Sequence, residues 1–333
     1  MTISAIIPTY CRYPYLRDLL NDLVAQSRPV DEIVVVDQAE KDLRDEALYR
    51  GFDGILPLRV LYLTEMRGTC VPRNLALTEA RGDYLLFLDD DLRVESDFLA
   101  RYEEVASQGY DVIHGGVRHR ENPLFEKRLL FDDPVQQLIA SPNTNQAGGT
   151  IGVASGNSMV KRSWVERIGG FDTQFDSGMC DDWDFGLQLF RGGARMIYHP
   201  GPAARHLKAP SGGRRYFFIQ GWKRWLGGFR DYSPGWLAPR FYFYAKYFSP
   251  RAVRRLRFML LREIFAPKYR LFRYPWAVPL AVAWWFVAVR RAAVMTNQGP
   301  RTVGTYRQPG FEEWSSGAWA KNWQEQEDTV ARH

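Results

Sequence analysis

Tyr84-Leu85-Leu86-Phe87-Leu88-Asp89-Asp90-Asp91 joins the pattern of a buried strand to three consecutive carboxylates. Adjacent Asp side chains repel one another and lose hydration where a strand leaves a core. Such a triplet is therefore either a solvated acidic turn or a site at which a cation neutralises the charge. Hard divalent ions that prefer oxygen ligands, Mg²⁺ or Mn²⁺, fit the second interpretation.

Strand-like and helix-like segments alternate around this stretch. Continuous apolar runs are typical of strands buried on both faces, and apolar residues at helical spacing are typical of helices. On these criteria we predict strands at 3–8, 31–37, 58–63, 83–88 and 111–117 and helices at 13–26, 68–80 and 96–106. Strands that alternate with helices indicate βαβ units, an α/β fold and a mostly parallel sheet.

The ends of the predicted strands carry the candidate ligand-binding residues. Ligands of open α/β sheets bind outside the carboxyl ends of the strands. The first strand ends at Pro8-Thr9-Tyr10, the second at Asp37 and the fourth at Asp89-Asp90-Asp91. Taken alone, Asp37 fits a cap or turn residue as well as a ligand. Because these ends should meet at one edge of the sheet, we expect them to line one crevice.

A second acidic cluster, Asp181-Asp182-Trp183-Asp184, lies at the start of a predicted helix. Acidic residues at a helix start are favoured by the macrodipole, but three of them in four positions exceed what capping needs. Further on, His206 precedes the loop Lys208–Gly213, which is flexible enough to close on a phosphate. A lone histidine is more often structural, so the candidacy of His206 rests on this position.

The composition fits a folded protein of a reducing compartment. Of 333 residues, 46% are hydrophobic and 25% charged, and the three cysteines form no CxxC pair. We therefore expect neither a disulfide framework nor a zinc ribbon, and we expect a cytoplasmic location. The N-terminus has neither a basic segment nor a cleavage site, so we expect no signal peptide.

The charge is distributed asymmetrically along the chain. Residues 214–301 hold 18 Lys and Arg against two acids, a net +16, so the remainder carries −10 of the total of +6. This basic, aromatic and mainly helical extension predicts an anionic partner surface. Aromatic residues interleaved with Arg suit a membrane interface, stacking on nucleic acid bases, or a helical subdomain with a solvated basic face.

An apolar run within this extension favours the membrane. Trp276–Val289 has 14 residues, and Pro279 interrupts it. A membrane span needs about 20 residues, so we expect this helix to lie in the interface of an anionic membrane, with a single tilted span as the alternative. Nucleic acid is then the less favoured partner. Residues 302–333 are polar and are expected to form a peripheral tail, which divides the chain into 1–213, 214–301 and 302–333.

In their order and spacing these motifs resemble glycosyltransferase family 2, whose fold is called GT-A. The resemblance covers residues 1–213 and rests on Ile7-Pro8-Thr9-Tyr10, Asp37, Arg67-Gly68, Arg73-Asn74, Phe87–Asp91, Gly169-Gly170-Phe171-Asp172 and Asp181–Asp184. It implies a Rossmann-like, mostly parallel sheet flanked by helices. It also implies an inverting enzyme that moves a sugar from a nucleoside-diphosphate sugar to a hydroxyl of a glycan or lipid-linked acceptor.

The resemblance assigns roles at the donor site. Asp91 matches the last carboxylate of the family's DXD motif and would hold the Mg²⁺ or Mn²⁺ ion. Asp89 would face the nucleotide-sugar beside the metal, and His206 would complete the metal shell. The residues expected to hold the nucleotide-sugar are Pro8, Thr9, Tyr10, Asp37, Arg73, Asp89 and Asp90, among which the part played by Asp90 is open. Asn74 is expected to support the loop.

The acidic helix start matches the family's Glu-Asp pair, with Asp181 in the Glu position and Asp182 in the Asp position. Asp181 is one methylene shorter than Glu, which puts its role in doubt. Asp182 is the expected general base, because a sugar hydroxyl attacks only when a carboxylate can take its proton. The residues expected to border the sugar and acceptor pocket are Gly156, Asn157, Asp181 and Trp183.

Other features narrow the predicted function. Gln220 and Arg224-Trp225 are one residue too far apart for the QxxRW motif of processive synthases, so we expect one sugar to be transferred per encounter. A sugar-nucleotide-binding module without turnover is one alternative, and a sugar nucleotidyltransferase is another. The second would want a Gly-rich loop where this chain has Pro8–Arg12. We predict a transferase of cell-surface polysaccharide synthesis, peripheral on the inner face of the membrane.

Overall fold

The computed structural model describes residues 1–63, 67–119, 145–176, 180–210, 233–264, 277–303 and 311–315. Its strands form a single sheet flanked by helices, so the predicted α/β class is confirmed. The strands are β1 Ile3–Thr9, β2 Glu32–Asp37, β3 Leu58–Leu63, β4 Tyr84–Leu88, β5 Leu92–Val94, β6 Val112–His119, β7 Gly148–Gly149, β8 Asn157–Lys161, β9 Met196–His206 and β10 Phe311–Ser315.

The sheet has the order β10-β3-β2-β1-β4-β8-β6-β9-β5, and β7 pairs with β9. Strands β3, β2, β1 and β4 are parallel, as the alternating pattern predicts. Beyond β4 the sheet is mixed, because β8 runs antiparallel to both β4 and β6 while β6 and β9 are parallel. The acidic triplet joins β4 to β5, which pairs with β9 at the far edge.

Helices cover both faces of the sheet. They are α1 Tyr13–Val24, α2 Glu46–Arg50, α3 Cys70–Glu79, α4 Phe98–Ser107, α5 Arg162–Ile168, α6 Asp181–Gly192, α7 Pro234–Tyr247, α8 Pro250–Ile264 and α9 Ala277–Gln298. The helix predicted at 96–106 begins at Phe98, with Asp97 at the N-cap position. Helix α5 ends at a glycine cap, since Gly169 has a φ of +77°, a left-handed conformation that glycine adopts without strain.

Strand β4 is buried on both faces, as its continuous apolar run predicts. Leu85 and Phe87 belong to a core cluster shared with α3, α6 and α7, while Leu86 and Leu88 belong to a second cluster with α1 and α4. All four side chains are at most 1% exposed. Full burial of such a side chain contributes about 1.5–3 kcal/mol, so β4 is firmly fixed and fixes the position of the acidic triplet that follows it.

Helix α7 packs into the same core as the first part of the chain. Phe241 and Phe243 are fully buried. The Tyr242 ring lies 5.1 Å from that of Phe175, and the Phe243 ring lies 5.9 Å from that of Trp183. The structure therefore differs from the predicted division, because this helix of the 214–301 segment is part of the main hydrophobic core.

The end of the chain also differs from its predicted form. β10 pairs antiparallel with β3, so residues expected to form a peripheral tail supply an edge strand. Helix α9 has 22 residues, because it continues past the apolar run through Arg290 and Arg291. By length and composition alone this helix is able to cross a membrane, and 17% of its most apolar stretch is buried.

Candidate active site

The carboxyl ends of β1, β2 and β4 meet at one edge of the sheet. Thr9 and Asp37 are register partners on adjacent strands. The Thr9 hydroxyl also donates a hydrogen bond of 2.8 Å to Oδ2 of Asp90, in the loop after β4. These three strand ends therefore lie together, as the rule for parallel sheets predicts.

Asp90 supports the acidic triplet from inside. It is 3% exposed and accepts hydrogen bonds from the Thr9 hydroxyl and from Arg12, whose Nη1 lies 2.9 Å from Oδ1. Burial raises the pKa of the Asp90 carboxyl to about 7, an effect that Arg12 opposes and Asp91 strengthens. We did not single out Arg12 as a site residue from the sequence, although it follows the β1 motif closely. Asp90, whose role the sequence leaves open, is thus bonded to Thr9 and Arg12 within the protein.

One carboxylate oxygen of Asp91 accepts a hydrogen bond, and the other accepts none from the described residues. Its Oδ2 accepts a 2.8 Å hydrogen bond from the Ala209 N–H and lies 3.4 Å from Arg12 Nη1. Its Oδ1 is buried without a hydrogen-bond partner among the described residues, and His206 Nε2 lies 3.4 Å away. A buried carboxylate oxygen that lacks a donor is unfavourable unless a cation reaches it.

The Asp89 carboxylate lies against Gly156. Its Oδ1 accepts a 3.0 Å hydrogen bond from Arg73, and its Oδ2 lies 3.9 Å from His206 Nε2. A Cβ at Gly156 would come within 2.4 Å of Asp89 Oδ2, and the Asp89 N–H donates to the Gly156 carbonyl at 3.2 Å. The absence of a side chain at 156 therefore leaves the space that the Asp89 carboxylate occupies.

Asp89, Asp91 and His206 fit a divalent cation. Each offers one ligand atom, and the three atoms lie within 4.8 Å of one another. The Lys208 N–H lies 3.1 Å from His206 Nδ1 and so orients the ring with Nε2 towards the carboxylates. Two carboxylates and an imidazole suit Mn²⁺, and the carboxylates also suit Mg²⁺. The buried, unpartnered Oδ1 of Asp91 is the atom that best supports this fit.

The first turn of α6 presents two carboxylates in different settings. Asp181 is 3% exposed, accepts a 3.0 Å hydrogen bond from the Thr69 hydroxyl and lies 3.9 Å from Arg73 Nη1. Asp182 is half-buried, and its Oδ1 accepts a 3.1 Å hydrogen bond from the Ser155 N–H. Asp182 is therefore the more accessible of the two, whereas Asp181 is enclosed by its neighbours.

Arg73 connects the acidic triplet to α6. Its side chain is 2% exposed, and its Nη2 donates to Asp89 at 3.0 Å and to the Ser155 carbonyl at 3.2 Å. The Ser155 N–H in turn holds Asp182. The two acidic motifs thus belong to one hydrogen-bonded unit, with a buried guanidinium at its centre.

Asp37 is enclosed at the end of β2. It is fully buried and accepts hydrogen bonds from the hydroxyls of Tyr13 at 2.9 Å and Tyr49 at 2.8 Å, and from the Ala39 N–H. Burial raises the pKa of the Asp37 carboxyl, and these hydrogen bonds oppose the rise. Of the other residues expected to hold the nucleotide, Tyr10 is also buried, whereas Pro8 is half-buried.

Asn157 is committed to the fold. It is fully buried, accepts a hydrogen bond from the Tyr102 hydroxyl at 2.8 Å and donates to the carbonyls of Gly116 and Pro202. Three of its four possible hydrogen bonds are therefore made within the protein. Trp183, also expected at the pocket, is half-buried and packs against α7.

Asn74 forms hydrogen bonds to both main-chain polar groups of Phe171. Its amide nitrogen donates to the Phe171 carbonyl at 2.7 Å, and its oxygen accepts from the Phe171 N–H at 2.8 Å. The expectation that Asn74 supports a loop is confirmed. Phe171 stacks on Phe185 of α6 with ring centroids 4.0 Å apart, so the hydrogen bonds from Asn74 also support the helix that carries Asp182.

A buried ionic network joins α6 to α7 and was not predicted from the sequence. Lys246 of α7 lies 3.0 Å from Asp172 Oδ2 and 2.7 Å from Asp184 Oδ1. The hydroxyls of Tyr242 and Tyr247 donate to the same two carboxylates. Burial raises the pKa of the Asp184 carboxyl to about 6, and Lys246 opposes the rise. Asp184 is therefore more than a helix-start charge, but its partner is too distant in sequence to be recognised.

Known proteins match both the sequence and the fold. The model of glycosyl transferase family 2 matches residues 4–169. The uncharacterized glycosyltransferase YwdF of Bacillus subtilis is 31% identical over 196 residues, which are 56% of this chain and 68% of YwdF. The chain belongs to glycosyltransferase family 2. It is therefore a glycosyltransferase, and the prediction of that family is confirmed.

Two further comparisons concern cell-wall enzymes of this family. TuaG of Bacillus subtilis, named for teichuronic acid biosynthesis, is 35% identical over 104 residues, or 31% of this chain and 40% of TuaG. The structure of Staphylococcus aureus TarS 1–349 in complex with UDP-GlcNAc has a TM-score of 0.51 at 17% identity and covers 90% of this chain and 91% of that one. This likeness shows the GT-A fold. In its match with TuaG, the chain spans less than half of the length of TuaG.

Proposed function

We propose that this family 2 glycosyltransferase transfers one sugar, with inversion, from a nucleoside-diphosphate sugar to a hydroxyl of a glycan or lipid-linked acceptor. The observation that carries the proposal is the unit built on Arg73 and Ser155. It holds a half-buried carboxylate, Asp182, beside a carboxylate–imidazole cluster suited to a divalent ion. A base next to a metal-held leaving group is the arrangement that such a transfer requires.

Asp91, Asp89 and His206 are the residues that would hold Mg²⁺ or Mn²⁺. Bound there, the ion would act as a Lewis acid that offsets the negative charge growing on the leaving diphosphate. Asp91 keeps one oxygen turned to this position because the Ala209 N–H holds the other.

Asp182 is the proposed general base. The Ser155 N–H holds its Oδ1 and so fixes the carboxylate that would take the proton of the attacking hydroxyl. One base and one leaving-group site predict a single displacement, and a single displacement inverts the anomeric carbon. The enclosed Asp181, bonded to Thr69, instead supports Arg73 and the start of α6.

The donor class rests on the likeness to enzymes solved with nucleotides. TarS 1–349 was solved with UDP-GlcNAc, and GalNAc-T7 with UDP, GalNAc and Mn²⁺. TuaG is named for teichuronic acid biosynthesis, and TarS is named a poly(ribitol-phosphate) β-N-acetylglucosaminyltransferase. These names support an acceptor in envelope polysaccharide synthesis. We also propose that the enzyme works at the cytoplasmic face of the membrane, where lipid-linked acceptors are available.

Replacing Asp182 with Asn tests the proposed function. We expect turnover to fall by about 10²–10⁴-fold, because loss of a general base removes that much catalysis. Donor affinity should be unchanged, since the substitution preserves shape. The exposed Asp42→Asn is the matched control. Full turnover in Asp182→Asn would remove this residue from the mechanism, and a wild-type protein that binds donors but transfers to no acceptor would point to a binding module.

Two measurements complete the test. The product anomer, followed by NMR from the first turnover, should have the configuration opposite to that of the donor. A panel of nucleotide-sugars screened for Mn²⁺-dependent thermal stabilisation should identify the donor, because a ligand that binds only the native state raises its apparent stability. Retention of configuration would contradict the single displacement.

A further inference from the structure

Helix α9 buries three alanines on one face and exposes larger apolar residues on the other. Ala281, Ala288 and Ala292 are fully buried and fall on one face, against α7. On the other side Phe286 is 61% exposed and Val294 49% exposed. A helix on the surface of a soluble protein has the reverse arrangement, with its apolar stripe facing the core.

Helix α8 has an aromatic residue in the middle of a basic face. Val253, Leu256 and Leu260 are buried and point into the protein. The opposite face, spaced at three and four residues, carries Phe258 among four exposed arginines: Arg251, Arg254, Arg255 and Arg262. Phe258 is 67% exposed, the largest value among the exposed hydrophobic residues described.

The two helices lie side by side. The Trp285 Nε1–H of α9 donates a 3.1 Å hydrogen bond to the Arg257 carbonyl of α8. The Trp285 ring also packs edge-on against Phe286 at 5.0 Å and against Phe241 of α7 at 6.4 Å. The exposed faces of α8 and α9 thus belong to one flank of the molecule, which we call the basic–apolar face.

We propose that the basic–apolar face binds the surface of an anionic lipid bilayer and lies in its headgroup region without crossing it. The arginines pair with lipid phosphates, while Phe258, Phe286 and Val294 enter the boundary between headgroups and acyl chains. Charge complementarity selects this partner: residues 233–264 and 277–303 hold seven exposed arginines and one acid, Glu263. The exposed Val294 suits acyl chains and has no aromatic ring on which a nucleic acid base could stack.

The attachments of α9 favour docking on a bilayer over crossing it. Gln174 Nε2 donates to the carbonyls of Met295 and Gly299 at the end of the helix. Just beyond, the Arg301 N–H donates to Asp172 at 3.0 Å. Since α7 is buried in the catalytic core and α9 packs along it, α9 lies along the flank of the domain. Crossing a bilayer would break these contacts, whereas docking by the outward face preserves them.

The basic–apolar face begins close to the proposed catalytic helix. Tyr247, at the end of α7, donates a 2.7 Å hydrogen bond to Asp184 in the first turn of α6. Arg251 follows Tyr247 by four residues, which span at most about 14 Å. Docking therefore keeps the proposed base, Asp182, near the membrane. The face itself lies outside the proposed catalytic site, so the docking test does not depend on the reaction.

Vesicle sedimentation of the full-length protein tests the proposal. We expect binding to vesicles of equal parts phosphatidylglycerol and phosphatidylcholine, little binding to phosphatidylcholine alone, and release by about 1 M NaCl or by carbonate at high pH, since salt screens the arginines. Phe258→Asp with Phe286→Asp should weaken binding by about tenfold or more. Arg254→Gln with Arg255→Gln should weaken it by about fivefold per arginine.

The matched control is Ile55→Asp, which changes a residue 58% exposed elsewhere on the surface. It should bind vesicles like the wild type, and all variants should keep the wild-type melting temperature. Equal binding to neutral vesicles, no effect of the paired substitutions, or resistance to carbonate extraction would overturn the proposal. So would a lipid-free dimer that dissociates in Phe258→Asp with Phe286→Asp while vesicle binding is unaltered, because the face would then serve a second copy of the chain.

Discussion

Replacing Lys246 with Met should destabilise the whole catalytic domain. The Lys246 ammonium contacts Asp172 and Asp184, both at most 1% exposed, and no other described Lys or Arg side chain forms an ion pair with either. Removing one partner of a buried ion pair costs about 3–5 kcal/mol, because the remaining charge is left uncompensated. The free energy of unfolding of an ordinary domain is about 5–15 kcal/mol, so this loss is a large fraction of it.

The loss should also depend on pH. The folded-state pKa of Asp184 is about 6, above its ordinary value of about 3.9, so the native state holds this proton more tightly than the unfolded chain does. Stability contributed by the protonated form is therefore present at low pH and is lost as the pH rises through about 6. Without Lys246 the folded pKa rises further, and the penalty of ionised Asp184 grows. The variant should be closest to wild type near pH 5 and furthest from it near pH 8.

Urea denaturation at pH 5 and pH 8 measures both effects. Lys161→Met, at an exposed lysine, is the matched control and should change stability by less than about 0.5 kcal/mol. Asp184→Asn in the Lys246→Met background should restore part of the loss at pH 8, because it removes one uncompensated charge. A loss below about 1 kcal/mol at pH 8, or the same loss at both pH values, would refute the reasoning.

Three further predictions concern single positions. Asp91→Ala should abolish the effect of Mn²⁺ on donor binding measured by calorimetry, and an unchanged Mn²⁺ titration would contradict the metal assignment. Gly156→Ala places a Cβ 2.4 Å from Asp89 Oδ2, so donor affinity should fall by about tenfold while the free energy of unfolding changes by less than about 2 kcal/mol; unaltered affinity would show that Asp89 moves freely. Burial lowers the pKa of His114 to about 4, so protonation of His114 should cost about 3 kcal/mol of stability as the pH drops from 6.5 to 4. In urea titrations over this range His114→Gln should therefore lose about 3 kcal/mol less stability than the wild type, and an equal change in both proteins would contradict this role of His114.

The local part of the fold was predictable because its determinants are local. The apolar run of β4 is buried on both faces, and the carboxylates after it lie at the sheet edge together with Thr9 and Asp37. Strand periodicity and the position of parallel strand ends are enough to infer this. The cluster of Asp89, Asp91 and His206 was named from the family resemblance, and the structure brings the three side chains together.

Pairings between distant segments were not predictable in the same way. Nothing in the sequence around Lys246 distinguishes it from a solvated lysine, yet it lies between Asp172 and Asp184. β10 follows a polar stretch and pairs with β3, far earlier in the chain. The length of α9 was underestimated because two arginines end the apolar run, although Arg290 and Arg291 are exposed and do not interrupt the helix. In each case tertiary contacts, which a local pattern does not encode, determine the outcome.

These distant pairings make the position of the proposed base a property of the whole chain. Asp182 lies two residues before Asp184 on the first turn of α6, and Asp184 is fixed by Lys246 and Tyr247 of α7. Lys246 also binds Asp172, whose Oδ1 accepts the Arg301 N–H just after α9. The proposed membrane contact of α8 and α9 would therefore act on segments joined by buried hydrogen bonds to the helix that carries the proposed base. Division of the chain at residue 213 would cut through this unit, because the lysine that neutralises two buried carboxylates lies on the far side of the cut.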